Sequence, residues 1–226
     1  MSIPTLDLVV ARYQEELSWI DNLHDIYTKK YIYNKGLPIE IDSLSLPNDG
    51  REGYVYLYHV IQNYNNLADV TIFTQASAWS NDIKKNKLLK TIDTVKKTKT
   101  SVIYGVKSPF NNKKIYDFMI NNYKITTEEN YKYNSDTSLK LSQYRPLGNW
   151  FTTHFPNETI EFTSCHSIFA ASRKDIQKRP VDFYKVLFAE ASYKNPEIEH
   201  YFERVWKNIF SIENAFDELT FSSYTF

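Results

Sequence analysis

A chain of 226 residues, 42% hydrophobic and 24% charged, can bury the core of one large α/β domain and is too apolar to be disordered. Twenty-seven basic side chains balance twenty-seven acidic ones, so no global field recruits nucleic acid or an anionic membrane; a local phosphate site needs only two or three cations. Cys165 is the single cysteine, which excludes an internal disulfide and a cysteine-rich zinc site.

No run approaches the roughly 20 apolar residues of a membrane span, and the N-terminus lacks a signal-peptide core. The expectation is a soluble, cytoplasmic protein without a transmembrane segment. The chain opens on LDLVVA, residues 6–11, a short apolar run of strand type. It stops at Arg12 and Tyr13, and Leu17, Ile20 and Leu23 then recur at helical spacing. A strand that turns into a helix builds the ligand crevice of open α/β sheets, with Arg12 and Tyr13 at the carboxyl end where ligands sit.

Residues 31–33 read as a second strand and 34–36 as its turn; the proline-bearing stretch 37–49 reads as a surface connection. A helix starts near Arg51, with Asn48 or Asp49 as cap, Glu52 in its first turn, and Tyr54, Leu57, Tyr58 and Ile61 as buried stripe. Residues 69–74 form the next strand, ending at Gln75. This alternation predicts a parallel sheet. A lysine-rich helix follows over about 81–97, with Leu89, Ile92 and Val95 inward and its lysines solvated. Residues 101–105 make a strand, and Ile115, Phe118 and Met119 a short helix.

The polar stretch 126–142 reads as a long loop. Strands follow at 159–163 and 166–171, then a short helix at 173–178. Two amphipathic helices close the domain: one defined by Phe183, Val186 and Leu187, the other by Ile198, Phe202, Val205 and Ile209, with Asn195 as cap and Pro196 in its first position. The tail 217–226 has no strong pattern. There is no repeat and no interdomain linker.

No self-contained catalytic signature is present: no Walker loop, dinucleotide fingerprint, HExxH or G-x-S-x-G. Five glycines leave little for a phosphate cradle, and the five histidines show no metal-ligand spacing. Singly, each histidine reads as a structural residue.

Three blocks, VVARYQEELSWIDNL, NDGREGYVYLYHVIQNYNNLADVTIFTQA, and FAASRKDIQKRPVDFYKVL with ERVWKNIF, resemble domain-of-unknown-function family 3431, a family of viral, fungal and bacterial proteins. The last third, HSIFAASRKDIQKR followed by NPEIEHYFERVW, is similar to the acceptor half of metal-independent branching N-acetylglucosaminyltransferases of the core-2 type. That second resemblance implies an α/β fold of the GT-A-like kind: a Rossmann-like mixed sheet flanked by helices in one domain over residues 1–226. About 1–107 would hold a nucleotide-diphosphate sugar donor, and about 108–226 a glycan or other hydroxyl acceptor. The Glu-x-x-Trp helix of those enzymes is here Glu203-Arg204-Val205-Trp206, and the resemblance implies that Glu203 is the general base of an inverting transfer.

The chemistry needs a carboxylate at the acceptor hydroxyl and positive charge at the departing diphosphate. Arg12, Tyr13, Arg51, Arg145 and Arg173 are the donor-side candidates, with Arg51 aided by the N–H groups of the helix it opens. Singly, each arginine is an ordinary surface cation. Many GT-A enzymes end the central strand in Asp-x-Asp; here it ends Thr74-Gln75-Ala76. No metal is therefore required, though manganese or magnesium held largely by substrate remains compatible, and Gln75 becomes a donor ligand. Trp79, Trp150 and His166 are the acceptor-side candidates, core packing being the commoner fate of tryptophan. Two alternatives stand beside the transferase: a non-catalytic sugar- or nucleotide-binding module on the same fold, and a nucleotide-sugar hydrolase.

Overall fold

The computed structural model describes residues 4–108, 112–122 and 138–217. The opening run becomes β1 (Leu6–Arg12), buried along its whole length. Its side chains alternate between two cores: Val9 and Ala11 enter one cluster, Leu6, Leu8 and Val10 the other. Both faces of the sheet are covered, which is why Leu8 to Ala11 run apolar without a break. β1 pairs in parallel with β2 (Lys29–Asn34) on one side and β4 (Val70–Gln75) on the other, while β2 carries the short β3 (Leu44–Ser45).

The chain enters β4 through α1 (Glu52–Asn63) and passes through α2 (Asp82–Thr98) to β5 (Val102–Lys107). The helix α3 (Lys113–Tyr116) and the strand β6 (Leu139–Lys140) follow, then α4 (Leu147–His154) and β7 (Phe162–Thr163). β8 (Phe169–Ser172) runs antiparallel between β4 and β5, with Phe169 opposite both Phe73 and Ile103. After α5 (Arg173–Ile176) and α6 (Val181–Ala191) come β9 (Asn195–Pro196), α7 (Ile198–Ile209) and β10 (Ala215–Asp217). The sheet order is β10-β5-β8-β4-β1-β2-β3, with β7 also on β5; β6 and β9 form a separate two-stranded ribbon. The result is one mixed α/β domain.

One face is packed by α1, α4, α6 and α7, and the other by α2 and a 3-10 turn at Ser18–Leu23. The chain leaves β1 toward β2 on one side and returns to β4 on the other, so the strand order reverses between β1 and β4. In open α/β sheets ligands bind at such a reversal, beyond the carboxyl ends of the strands.

Several expected elements differ. The helical spacing of Leu17, Ile20 and Leu23 resolves into a 3-10 turn at Ser18–Leu23, preceded by Leu17, and not an α-helix. The first half of the sheet is parallel, as predicted, but β8 makes the whole sheet mixed. In α1, Tyr58 and Ile61 are only partly buried, because Val55, Tyr56, His59 and Val60 also face protein. In α6 it is Tyr184, Leu187 and Ala191 that are buried, and Val186 is 51% exposed. The Tyr184 hydroxyl donates to the Ile176 carbonyl (2.7 Å), which lets the tyrosine be buried. Asn195 and Pro196 are strand residues paired with β6, and Glu197 holds the cap position of α7 without a side-chain cap hydrogen bond. Leu89 is only partly buried, whereas Lys87 is 3% exposed. Most of the loop expected over 126–142, and the tail beyond Asp217, lie outside the described residues.

Candidate functional site

At the carboxyl end of β4, hydrogen bonds join that strand end to the start of α1, to residues 165–167 before β8, and to α7. Each contributes side chains for a local reason. Residues 165–167 form a tight turn in which His166 (φ 72°) and Ser167 (φ 47°) are both left-handed without being glycine. Such backbone is costly and persists only when its surroundings fix it.

Here five side chains do so. Lys87 donates to the Cys165 carbonyl (2.8 Å) and Gln75 Nε2 to that of His166 (2.8 Å). The His166 N–H donates to Glu203 Oε1 (2.9 Å). Tyr56 donates its hydroxyl to the Ser167 carbonyl (2.9 Å), and Trp206 Nε1 donates to Ser167 Oγ (3.0 Å). Glu203 and Trp206 thus hold adjacent residues of one turn, from a helix that kinks between them at Val205.

Gln75 is the hub at the end of β4. Its Nε2 also donates to Glu52 Oε1 (3.0 Å), while its Oε1 accepts from Lys84 Nζ (3.1 Å) and Ser77 Oγ (3.0 Å). Glu52 lies in the first turn of α1, next to Arg51. The Gly53 N–H of that turn donates to Glu199 Oε2 (3.0 Å). Lys35, just beyond β2, donates to the carbonyls of Asp49 (3.1 Å), Gly50 (2.7 Å) and Arg51 (2.9 Å), and so shapes the approach to α1.

The electrostatics divide the two carboxyls of α7. Glu199 and Glu203 lie four residues apart on one side of the helix. Burial, and then the neighbouring Glu52 charge, push Glu199 up to about 8, against the pull of Lys35 and Arg51. Burial also pushes Glu203 upward, but the Arg204 and Arg51 charges and the His166 N–H outweigh it and hold that carboxyl below its usual range. Glu199 is therefore neutral and Glu203 ionised near pH 7, a division that assigns acid and base roles where it occurs in catalytic sites. Burial and the charge of Lys87 bring His166 down to about 4, so its imidazole is neutral as well.

Glu203, Arg51, Gln75 and His166 converge here. The other sequence candidates do not join them in the same way. Arg12 closes its own corner: Nε donates to the Glu15 carbonyl (2.9 Å), and Nη1 to Asn34 Oδ1 (2.7 Å) and the carbonyls of Tyr13 (3.1 Å) and Leu37 (3.4 Å). Tyr13 is exposed at the end of β1. Arg145 pairs with Glu197 (2.9 Å) and bonds Asn121, bracing the start of α7.

Arg173 pairs with Asp69 (3.1 Å) at the opposite edge of the sheet, since β8 runs antiparallel and Ser172 faces Val70. The length of β4, about 20 Å, separates it from Gln75. Trp150 is wholly buried, its Nε1 on Glu190 (2.7 Å), and so packs the core instead of offering a face to an acceptor. Trp79 stacks on Trp19 (5.3 Å between centroids) under Lys85. The N-terminus of α1 is not an open anion site, because Glu199 already takes the Gly53 N–H.

Glu52, Glu199, Lys35, Lys84 and Lys87 were missed as site residues. One signal pointed to them: two of only five glycines stand at Gly50 and Gly53, a spacing that marks a close approach to the start of a helix. Among the described residues, no three His, Cys, Asp or Glu side chains are grouped as metal ligands would be, and no helix is long and apolar enough to cross a membrane.

The profile of the family described as "Protein of unknown function (DUF3431)" matches residues 8–223, which span every site residue from Arg12 to Trp206. The chain belongs to that family. No curated protein matches it.

Proposed function

We propose that the protein is an inverting glycosyltransferase of GT-A-like fold, transferring a sugar from a nucleotide-diphosphate donor to a glycan or other hydroxyl acceptor. The observation that carries this reading is the state of Glu203. Its carboxyl is held ionised, Oε1 is fixed by the His166 N–H, and no described residue donates a hydrogen bond to Oε2. A carboxylate fixed by one oxygen and open at the other is what a general base requires.

In the proposed step the acceptor oxygen forms a bond to the anomeric carbon of the donor, and its proton passes to Glu203 Oε2. The bond from that carbon to the diphosphate breaks, and its electron pair leaves on the diphosphate. A carboxylate of low pKa suits this order, because the acceptor hydroxyl becomes strongly acidic only as the new bond forms. Arg51 and Lys84, at the mouths of α1 and α2, would meet the diphosphate charge without a bound metal.

The mixed sheet and its strand-order reversal between β1 and β4 support the donor half at about 1–107, with α7 supplying the base from the acceptor half. Fold analogy is the weaker support and the carboxylate the stronger. The test is donor turnover: with nucleotide-sugars and simple glycan acceptors, the protein should form product and release nucleoside diphosphate. Release of free sugar without an acceptor would mark a hydrolase, and donor binding without either product a binding module.

A further inference from the structure

The helix α1 has no side-chain cap of its own: Arg51 holds the cap position without a side-chain hydrogen bond, and Asn48 and Asp49, the sequence candidates, supply none. The cap comes from Glu199, 146 residues further along the chain. This arrangement is expensive. Glu199 is 4% exposed, its Oε1 has no hydrogen-bond partner, and Glu52 stands beside it. A Cβ on Gly53 would fall 2.4 Å from Glu199 Oε2. One on Gly50, which has a φ of +53°, would fall 3.0 Å from Oε1. A serine or aspartate at the cap position would satisfy the helix without these demands. What the distant carboxyl adds is a tie between α1 and α7.

That tie closes a ring. Glu199 holds Gly53; the adjacent Glu52 holds Gln75; Gln75 holds the His166 carbonyl; the His166 N–H holds Glu203, one turn along α7 from Glu199. We infer that Glu199 is a positioning residue, which by capping α1 from α7 fixes Glu52 and Glu203 on either side of Gln75. The inference rests on the transferase reading only for what Glu203 does once placed.

The groups that face Glu199 are Lys35 beyond β2, and Arg51, Glu52 and Tyr56 around the start of α1, with Asp49 against Lys35; Glu203 lies one turn further along α7. Its raised carboxyl pKa means that the folded chain keeps a proton that the unfolded chain has released. Stability from this group is therefore fully present below about pH 4.5 and is lost as the pH rises toward 8.

The test is amide hydrogen exchange on the full chain, with Glu199→Gln and Glu199→Ala beside the wild type. Loss of the Glu199 side chain should speed exchange about tenfold at Gly53 and equally at His166, the far side of the ring, while Ile72 in β4 stays protected. Glu199→Gln keeps an oxygen for the Gly53 N–H and should retain both protections, while abolishing the decline in stability between pH 4.5 and 8. If Glu199→Ala fails to fold, Glu199→Asp, one methylene short of Gly53, is read the same way.

Faster exchange at Gly53 with His166 unchanged would show a local cap only and overturn the inference. Turnover is the second readout: Glu199→Ala should lower kcat about tenfold with donor KM within twofold, and Glu199→Gln should restore it. Absence of turnover in the wild type would count against the transferase alone, because the exchange result at His166 still decides the role of Glu199.

Discussion

Glu203 Oε1 accepts the backbone N–H of His166 at 2.9 Å, so the carboxylate at the centre of the site is also the anchor of the turn beside it. Oε1 anchors the turn, and substitutions separate that role from the one proposed for Oε2. Glutamine at 203 keeps an acceptor for His166, whereas alanine leaves that N–H without one. Glu203→Ala should cost about 1–3 kcal/mol. In a domain of this size that is a drop of roughly 2–4 °C per kcal/mol. Glu203→Gln should melt close to the wild type, as thermal unfolding will show.

Trp206 secures the next residue of the same turn. Trp206→Phe keeps the ring among Tyr56, Phe169 and Phe210 but removes the N–H that reaches Ser167 Oγ, a buried hydroxyl. A loss of about 1–2 kcal/mol is expected. Chemical denaturation should find it, with little change in the denaturant slope.

The two arginines flanking this chain's strand β4 make opposite predictions. Arg51 stands beside Glu52, which holds Gln75 at the carboxyl end of β4, and Arg51→Ala should weaken nucleoside-diphosphate binding by about tenfold, with a smaller dependence on salt. Arg173 pairs with Asp69 at the far edge, where both side chains are nearly half exposed. Arg173→Ala should leave binding unchanged and stability within about 1 kcal/mol. Titration calorimetry on both variants compares the two edges directly.

Buried histidines set the acid side of the stability profile. Burial and the charge of Lys29 hold His59 at about 3, its Nδ1 against the Tyr33 hydroxyl (2.8 Å). The unfolded chain takes up this proton near pH 6.5 and the folded chain does not. The stabilisation is therefore complete above pH 6.5 and is lost as the pH falls toward 3. His59→Gln, which can still accept from Tyr33, should flatten that decline in melting temperature.

Much of this was legible in the sequence, and what was not has physical causes. The runs of β1 and β4 and the stripe Ile198, Phe202, Val205, Ile209 declare themselves by local periodicity, and all four stripe residues are buried. The family blocks were legible too, and the family profile covers them. The place of β8 between β4 and β5 was not, because strand pairing across such distances leaves no local trace. Arg12 and Arg173 were readable as cations, but not as cations already turned to carbonyls or to Asp69. No local pattern marked Glu199 as a site residue. Only folding brings Gly50 and Gly53 against it, and those two glycines were the one hint that something must come close.

The measurement that bears most directly on the central claim is nucleoside-diphosphate release from a panel of UDP-, GDP-, dTDP- and CMP-sugars with glycan acceptors, wild type beside Glu203→Gln. The account predicts release with product from one donor family by the wild type, and a loss of about 10²–10⁴-fold in the variant. That donor should still raise the melting point of both proteins. Equal release by the two proteins, or no stabilisation of either by any nucleotide-sugar, would contradict it.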